Sequence, residues 1–437
     1  MRQLEIVTLR KESYWRQVSG RVTKSIRLSC YCILFTGAIN ANESAPTIPP
    51  GTLVDQNNVA DYPGVLDETL IGLIEKGFYA VEVTATEPLP PHPDYLAGTE
   101  KHAGEVSLGA GAGDLLGYVS GRPFPAEPSA DDSRAGDKIA WNMRHAFTGD
   151  SGVISPFYWQ YRNMRTDKLE RELSFAAKGL KFKHRIMMDP IPDLPNNPSG
   201  IFNGLYLQVL SPPDLRNTQL LIHRLEDDTK QEQGWLYIGT QRRVRRLPTG
   251  QNTDAFLGSD IMIEDFLGYN GRIMDMTWRY VETKYVLLPF YRHNDLSLSD
   301  KSHIDGYHFV DFTGKGHCFP KIKWQFRRAH VVEAVPKWEQ HPLSKRLYYV
   351  DAETYLPAYG RLYDRSGKLW KFAIAGYSHP DHHIEANKGT HVPIIDAVSM
   401  IDLQAEHCTT LQFRMEVNAN DSKPSEFTVQ ALRKKGK

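Results

Sequence analysis

The segment from Gly204 to Phe266 constrains this chain more than any other: its residues alternate with a period of two, and both faces carry large apolar groups. Leu205, Leu207 and Val209 point one way, and Tyr206, Gln208 and Leu210 the other. Leu220 and Ile222 alternate with Leu221 and His223, and Trp235 and Tyr237 with Leu236 and Ile238. Side chains of a strand change face at every residue. A sheet that is apolar on both sides needs a second covering layer, or it encloses an apolar guest. The pattern therefore predicts a carrier of apolar cargo and not an enzyme.

The rest of the chain is organised similarly. From Ser155 onward, further strands are predicted at Phe157–Arg162, Leu169–Ala176, Leu180–Arg185, Arg242–Leu247, Tyr280–Leu288 and Lys321–Glu333. Arg346–Val350, Tyr359–Tyr363, Leu369–Tyr377 and Ile394–Ala405 follow, with Asp364–Gly367 as a hairpin turn. Two helices are predicted, an amphipathic one over Leu66–Phe78 and a second over Asp137–Phe147. Many strands and few helices make the fold α+β, mostly β, with an antiparallel sheet that curls on itself. A single domain is expected over 63–430, with a polar tether at 42–62 and a loose tail at 431–437.

The N-terminus reads as an export signal over residues 1–41. Arg21, Lys24 and Arg27 precede the apolar run Leu28–Ile39, and Ala38 and Ala41 lie at its end. The residues before Arg21 are unusual for a signal, and a later start would explain them. The whole chain has 52 Lys and Arg against 52 Asp and Glu; without residues 1–41 these become 45 and 50, a net charge of −5. An exported, acidic chain is not a nucleic-acid binder. Cys318 and Cys408 remain after cleavage, either as a disulfide or as two buried thiols.

Two sets of motifs carry a family resemblance. Pro212–Leu215, Leu220–Arg224, Trp235–Tyr237, Arg242–Arg246 and Ser259–Phe266 together resemble the outer-membrane lipoprotein-sorting domain, related to the lipoprotein carrier LolA. Gly121–Pro125, Ala135–Asn142, Val331–Ala334, Tyr348–Tyr355 and Tyr363–Lys371 resemble a larger Gram-negative family, domain of unknown function 1329. The resemblance implies an incompletely closed antiparallel β-barrel, LolA-like, with helices plugging its mouth. It implies a periplasmic carrier that holds a lipid, a lipoprotein acyl chain or another apolar small molecule. Its implied protein partner is an inner-membrane exporter or an outer-membrane protein. An alternative is a non-catalytic adaptor docking to a transporter. The loops Asn196–Gly200 and His293–Lys315 have no counterpart in a simple lipoprotein carrier.

On this reading Phe157, Trp159, Leu205, Leu207, Val209, Leu220, Ile222, Trp235 and Tyr237 are candidates to line the cavity. Tyr158 and Tyr161 belong to the same aromatic group. The helices Leu66–Phe78 and Asp137–Phe147 are the candidate lids. Arg242, Arg243, Arg245 and Arg246 form either a basic rim for head groups or a partner, or cross-strand pairs with Asp260, Glu264 and Asp265. The nearness of those acids favours pairing.

No cofactor is expected. His379, His382, His383 and Glu385 have zinc-ligand chemistry, but neighbours on an open loop need a distant further ligand. The group His303, Asp305, His308 and Asp311 has the same weakness. Gly109–Gly113 lacks the spacing of a phosphate loop, and neither a GxSxG elbow nor an HExxH motif is present. His317 and Cys318 are neighbours that would face opposite sides of a strand.

Overall fold

The computed structural model describes residues 48–248, 251–420 and 422–436; the predicted signal and the first part of the tether lie outside them. Period-two alternation gives the long strands β1 (Ser151–Asn163), β2 (Lys168–Lys181), β3 (Ile201–Ser211) and β4 (Gln219–Leu225). The shorter β5 (Gln233–Ile238) and β6 (Arg243–Arg246) follow. A second series contains β7 (Met276–Leu288), β8 (Lys323–Pro336), β9 (Leu343–Asp351) and β10 (Pro357–Asp364). It ends with β11 (Leu369–Ser378), β12 (Ile394–Asp402) and β13 (His407–Val417).

Each series is an antiparallel meander, and the pairing of β13 with β1 joins them; the short strands Leu53–Val54, Val81–Thr84 and Phe290–Tyr291 complete one 16-stranded sheet. β6 ends one side of the sheet; on the other, β8 carries β7 and, along Lys323–Gln325, the parallel strand Val81–Thr84 with its partner Leu53–Val54. No pairing joins β6 to β7 among the described residues. The sheet is therefore open, and the connector residues 251–275 lie between β6 and β7 in the chain.

Cross-strand rows build the inner face. Phe413 lies opposite Phe157, Phe157 opposite Phe175, and Phe175 opposite Val209. Phe157 and Phe175 stack with ring centroids 4.8 Å apart. This face is covered by the connector, whose Phe256, Ile261, Met262 and Ile263 join the same core as Trp159, Leu207 and Leu220. The helices lie elsewhere. α1 (Glu68–Glu75), capped by Asp67 accepting from the Thr69 N–H, buries Leu70, Leu73 and Ile74. With α3 (Ala135–Arg144) it joins a separate core that contains Trp278, Trp324 and Tyr359. Gly136 permits the close approach of α3 to β7: a Cβ there would lie 2.5 Å from the Trp278 carbonyl oxygen. The expected closure of the barrel is not reached, and the element that covers the inner face is a connector with short 3-10 turns, among them Phe256–Gly258 and Ile263–Asp265.

Other expectations also change. The two strands predicted on either side of Lys178 are one strand, β2. β13 was not among the predicted strands. Pro93, which reads as a breaker, begins helix α2 (Pro93–Lys101), because the first helical turn has no use for its missing N–H. The tether contributes a short strand, Leu53–Val54, paired to Val81 and Glu82, with Val54 and Val59 buried. The tail forms α4 (Val429–Lys435), which seats Leu432 against Tyr206, Leu221 and Tyr237 on the outer face of β3–β5.

Cys318 and Cys408 form a disulfide that ties the chain before β8 to β13 across 90 positions. Closing so long a loop removes conformational freedom from the unfolded chain, an effect typically worth about 2–5 kcal/mol. Replacing both cysteines by serine should lower the urea-unfolding free energy by that amount, measured against the oxidised protein. An unchanged midpoint would show that the bond does not stabilise the fold.

Candidate ligand cavity

The inner face is not fully filled. A cavity of about 150 Å³ lies between β1–β3, β9–β13 and the connector. Strands as far apart in the sheet order as β3 (Leu205, Leu207) and β10 (Gly360, Leu362) border it, so the sheet curves around it. Phe157 and Trp159 contribute from β1, Ala373 and Ala375 from β11, Met400 from β12, and Leu411 and Phe413 from β13. Phe266, Leu267 and Gly268 of the connector close one side. Leu267 is 64% exposed, so this part of the connector also faces solvent. Gly268 has φ +91°, and a Cβ there would meet the Pro357 ring at 2.2 Å. The polar features of the lining are few: Arg346 and Asp265 are its charged members, and the buried Trp159 Nε1–H has no hydrogen-bond partner among the described residues.

Of the predicted lining residues, Phe157, Trp159, Leu205 and Leu207 border the cavity. Val209, Leu220 and Ile222 share its face but pack beside it, Ile222 near Leu247 and Ile263 of the connector. Trp235 and Tyr237 face the other way. The register sets Leu236 opposite Leu220 and Trp235 opposite Leu221, so Leu236 points inward and both aromatics point out toward α4. The Tyr237 hydroxyl donates to the Gly436 carbonyl at 2.8 Å. None of the predicted lining came from β9–β13, which supply much of the cavity wall.

The acids of the connector anchor it. Arg346, 1% exposed on β9, donates to both Glu264 and Asp265. His341 accepts the Leu343 N–H on Nδ1 at 3.0 Å, so Nε2 donates to Glu264 at 2.9 Å. Burial by itself would raise the Glu264 carboxyl, but the Arg346 charge and the His341 hydrogen bond outweigh it and hold it below its ordinary value. Asp260 accepts from His407 and from the Thr409 hydroxyl of β13 at 2.8 and 2.7 Å, and Lys371 donates to its carbonyl at 2.6 Å. The expected pairing of these acids with the arginine strand does not occur. Arg242, Arg243, Arg245 and Arg246 are all exposed.

Other clusters are already engaged. Among the described residues, Glu87, His379 and His382, and separately His293, His383 and Asp396, place ligand-type atoms within 4.8 Å of one another. Arg292 holds both Glu87 oxygens at 2.9 Å. His293 Nδ1 meets Asp396 at 2.8 Å, while its Nε2 donates to the His308 carbonyl at 3.0 Å. The Tyr307 hydroxyl donates to the Phe413 carbonyl, so His383 Nε2 donates to that hydroxyl at 3.1 Å, and Asn387 donates to His383 Nδ1 at 3.0 Å. His303 pairs with Asp305, and His308 bonds the Ser299 carbonyl, so that quartet does not converge. Gly109–Gly113 forms a turn closed by Asp114 and borders a polar hollow of about 400 Å³. Arg144 pairs with Asp228, Lys183 with Glu226 and Lys230 with Asp227 there, which leaves the apolar cavity as the candidate site.

A family model described as protein of unknown function, DUF1329, matches residues 53–433. The uncharacterized protein PA3922 of Pseudomonas aeruginosa is 28% identical over 256 residues, covering 55% of this chain and 52% of that protein. The match thus spans about half the length of this curated relative. A DUF1329 family protein from Desulfovibrio piger is 13% identical with TM-score 0.48, covering 70% of this chain and all of that one. The LolA superfamily protein NE2245 from Nitrosomonas europaea is 14% identical with TM-score 0.39, covering 66% of this chain and 94% of that one.

Removing Arg346 would leave two carboxylates buried without their cation. Arg346→Met should cost about 3–5 kcal/mol in chemical unfolding. The Glu264 carboxyl is depressed in the fold, so its contribution is full above the unfolded value near 4.5 and is lost as pH falls through the folded value. The stability gap between the protein and Glu264→Gln should therefore shrink as pH falls below about 4.5. A gap that widened on acidification would contradict this sign.

Proposed function

The chain belongs to the DUF1329 family, and on that premise we propose that it is a carrier that shields an apolar ligand between its curled sheet and the connector 251–275. The observation that carries this reading is the apolar cavity itself, left open by side chains of nine elements that could have filled it. The motif resemblance to lipoprotein-sorting domains points the same way, toward a lipid or an acyl chain. The disulfide suits an oxidising compartment, which supports export to the periplasm.

Magnitudes limit what the cavity does alone. At about 30 Å³ for each water-sized group, it takes roughly five methylenes. Each is worth about 0.8 kcal/mol, so the total is about 4 kcal/mol, a millimolar affinity. Tighter holding of a longer chain requires more enclosed length. The connector is the element placed to provide it, because Phe266–Gly268 border the cavity and no residue of α1 or α3 does. The lid is therefore assigned to the connector and not to the two helices.

Ala373→Phe places a ring into the cavity at a position now occupied by a methyl group. Uptake of the apolar fluorophore N-phenyl-1-naphthylamine, which exceeds five methylenes in size and enters only with the connector displaced, should fall by roughly tenfold or more, about 1.4 kcal/mol. Overpacking costs about 1–3 kcal/mol, so circular dichroism should still report a folded sheet. Undiminished uptake by folded Ala373→Phe would place the ligand elsewhere.

A further inference from the structure

We propose that the sheet edge at β6, together with α4, is a docking surface for an anionic phospholipid membrane. Arg242, Arg243, Arg245 and Arg246 are exposed on this edge, and Arg433 and Lys434 are exposed on the neighbouring helix. Arg242, Arg243 and Arg433 border an open groove of about 590 Å³ floored by Tyr237 and Val244. The helical fold of the tail brings Arg433 there; by sequence it lies far from the arginine run.

These cations lack the partners that arginines have elsewhere in the molecule. Arg144 pairs with Asp228, Arg224 with Glu232, Arg327 with Asp351, and Arg346 with Glu264 and Asp265. At the edge, Arg245 donates to the Gln241 side chain at 2.8 Å. Among the described residues no carboxylate reaches salt-bridge distance of the six edge cations. Of the acids that follow the arginine run, Asp260, Glu264 and Asp265 are engaged inside the fold, on His407, Arg346 and His341. Like charges gathered without counter-charges repel one another and weaken the folded state. An anionic partner relieves that repulsion.

The arrangement suits a surface of phosphates. A guanidinium matches a phosphate with two parallel hydrogen bonds. Arg243 and Arg245 share one face of β6, and Arg246 lies on the other with Val244. Charge therefore wraps around a strand edge. Six cations gathered there without counter-charges fall within the roughly four to eight Lys and Arg that form a binding cluster for anionic head groups. The edge is separate from the cavity, because no cavity-lining residue belongs to β6 or α4.

The test is sedimentation with vesicles of phosphatidylcholine, with and without phosphatidylglycerol, using the full folded chain. Binding should require phosphatidylglycerol and weaken as salt rises through the Debye-screening range. Arg243→Glu/Arg245→Glu should reduce it roughly tenfold or more, and Arg243→Gln/Arg245→Gln by less. Uptake of N-phenyl-1-naphthylamine should be unchanged in both variants, which separates this surface from the cavity. Equal binding to both vesicle types, retention by the glutamate variant, or saturation by inorganic phosphate without vesicle preference would each overturn the assignment.

Discussion

The structure depends on how its inner apolar face is kept from water without closing the sheet. Two meanders supply Phe157, Phe175, Val209 and Phe413 in one cross-strand row, and that row must be covered. Pairing β6 with β7 would have closed a barrel and left its interior to be filled by strands alone. Instead the chain between those strands turns inward and lays Phe256, Ile261, Met262 and Ile263 against the row. Burial of large side chains of this kind is worth roughly 1.5–3 kcal/mol each, enough to hold an irregular segment that has few backbone pairings of its own.

Apolar burial is non-directional and does not fix where such a segment sits. The charged contacts do. Arg346 takes Glu264 and Asp265 together, and Asp260 is held by β13 through His407 and Thr409. Buried ion pairs add little net stability when complete, but removing one partner is costly, so they serve to specify position. Here the specified position leaves a hollow between Phe266–Gly268 and the strands opposite. Connector, anchors and cavity are thus one device. The same use of acids inside the fold leaves the arginines of β6 without counter-charges outside it.

This division also separates two roles on one molecule. The inner face, with Trp159 and Leu207 among its walls, is suited to an apolar guest. The outer face of β3–β5 is sealed by Leu432 and Phe427, so its apolar residues are structural and not available to a ligand. The helices α1 and α3 share a core with Tyr348, Tyr359 and Ile374, residues of β9–β11 that also border the cavity, but contribute no side chain to its lining themselves. Movement that admits cargo is therefore expected in the connector, whose Leu267 already reaches solvent.

The sequence alone determined that the chain is β-rich, that Leu205, Leu207 and Val209 share a face, and that Tyr206 does not, because alternation is a local property of an extended backbone. Its motifs also carried the family. The same alternation runs through Leu411, Phe413 and Met415 of β13, but no turn as clear as Asp364–Gly367 sets that strand off from the one before it. What alternation cannot state is which face is inner, since a shift of one residue in pairing exchanges the two. Only tertiary structure decided that Leu236 and not Trp235 points inward, because that depends on Leu220 lying opposite it. Likewise, whether Glu264 and Asp265 meet Arg245 or Arg346 depends on contacts across some eighty positions, set by the path of the connector and not by nearness along the chain.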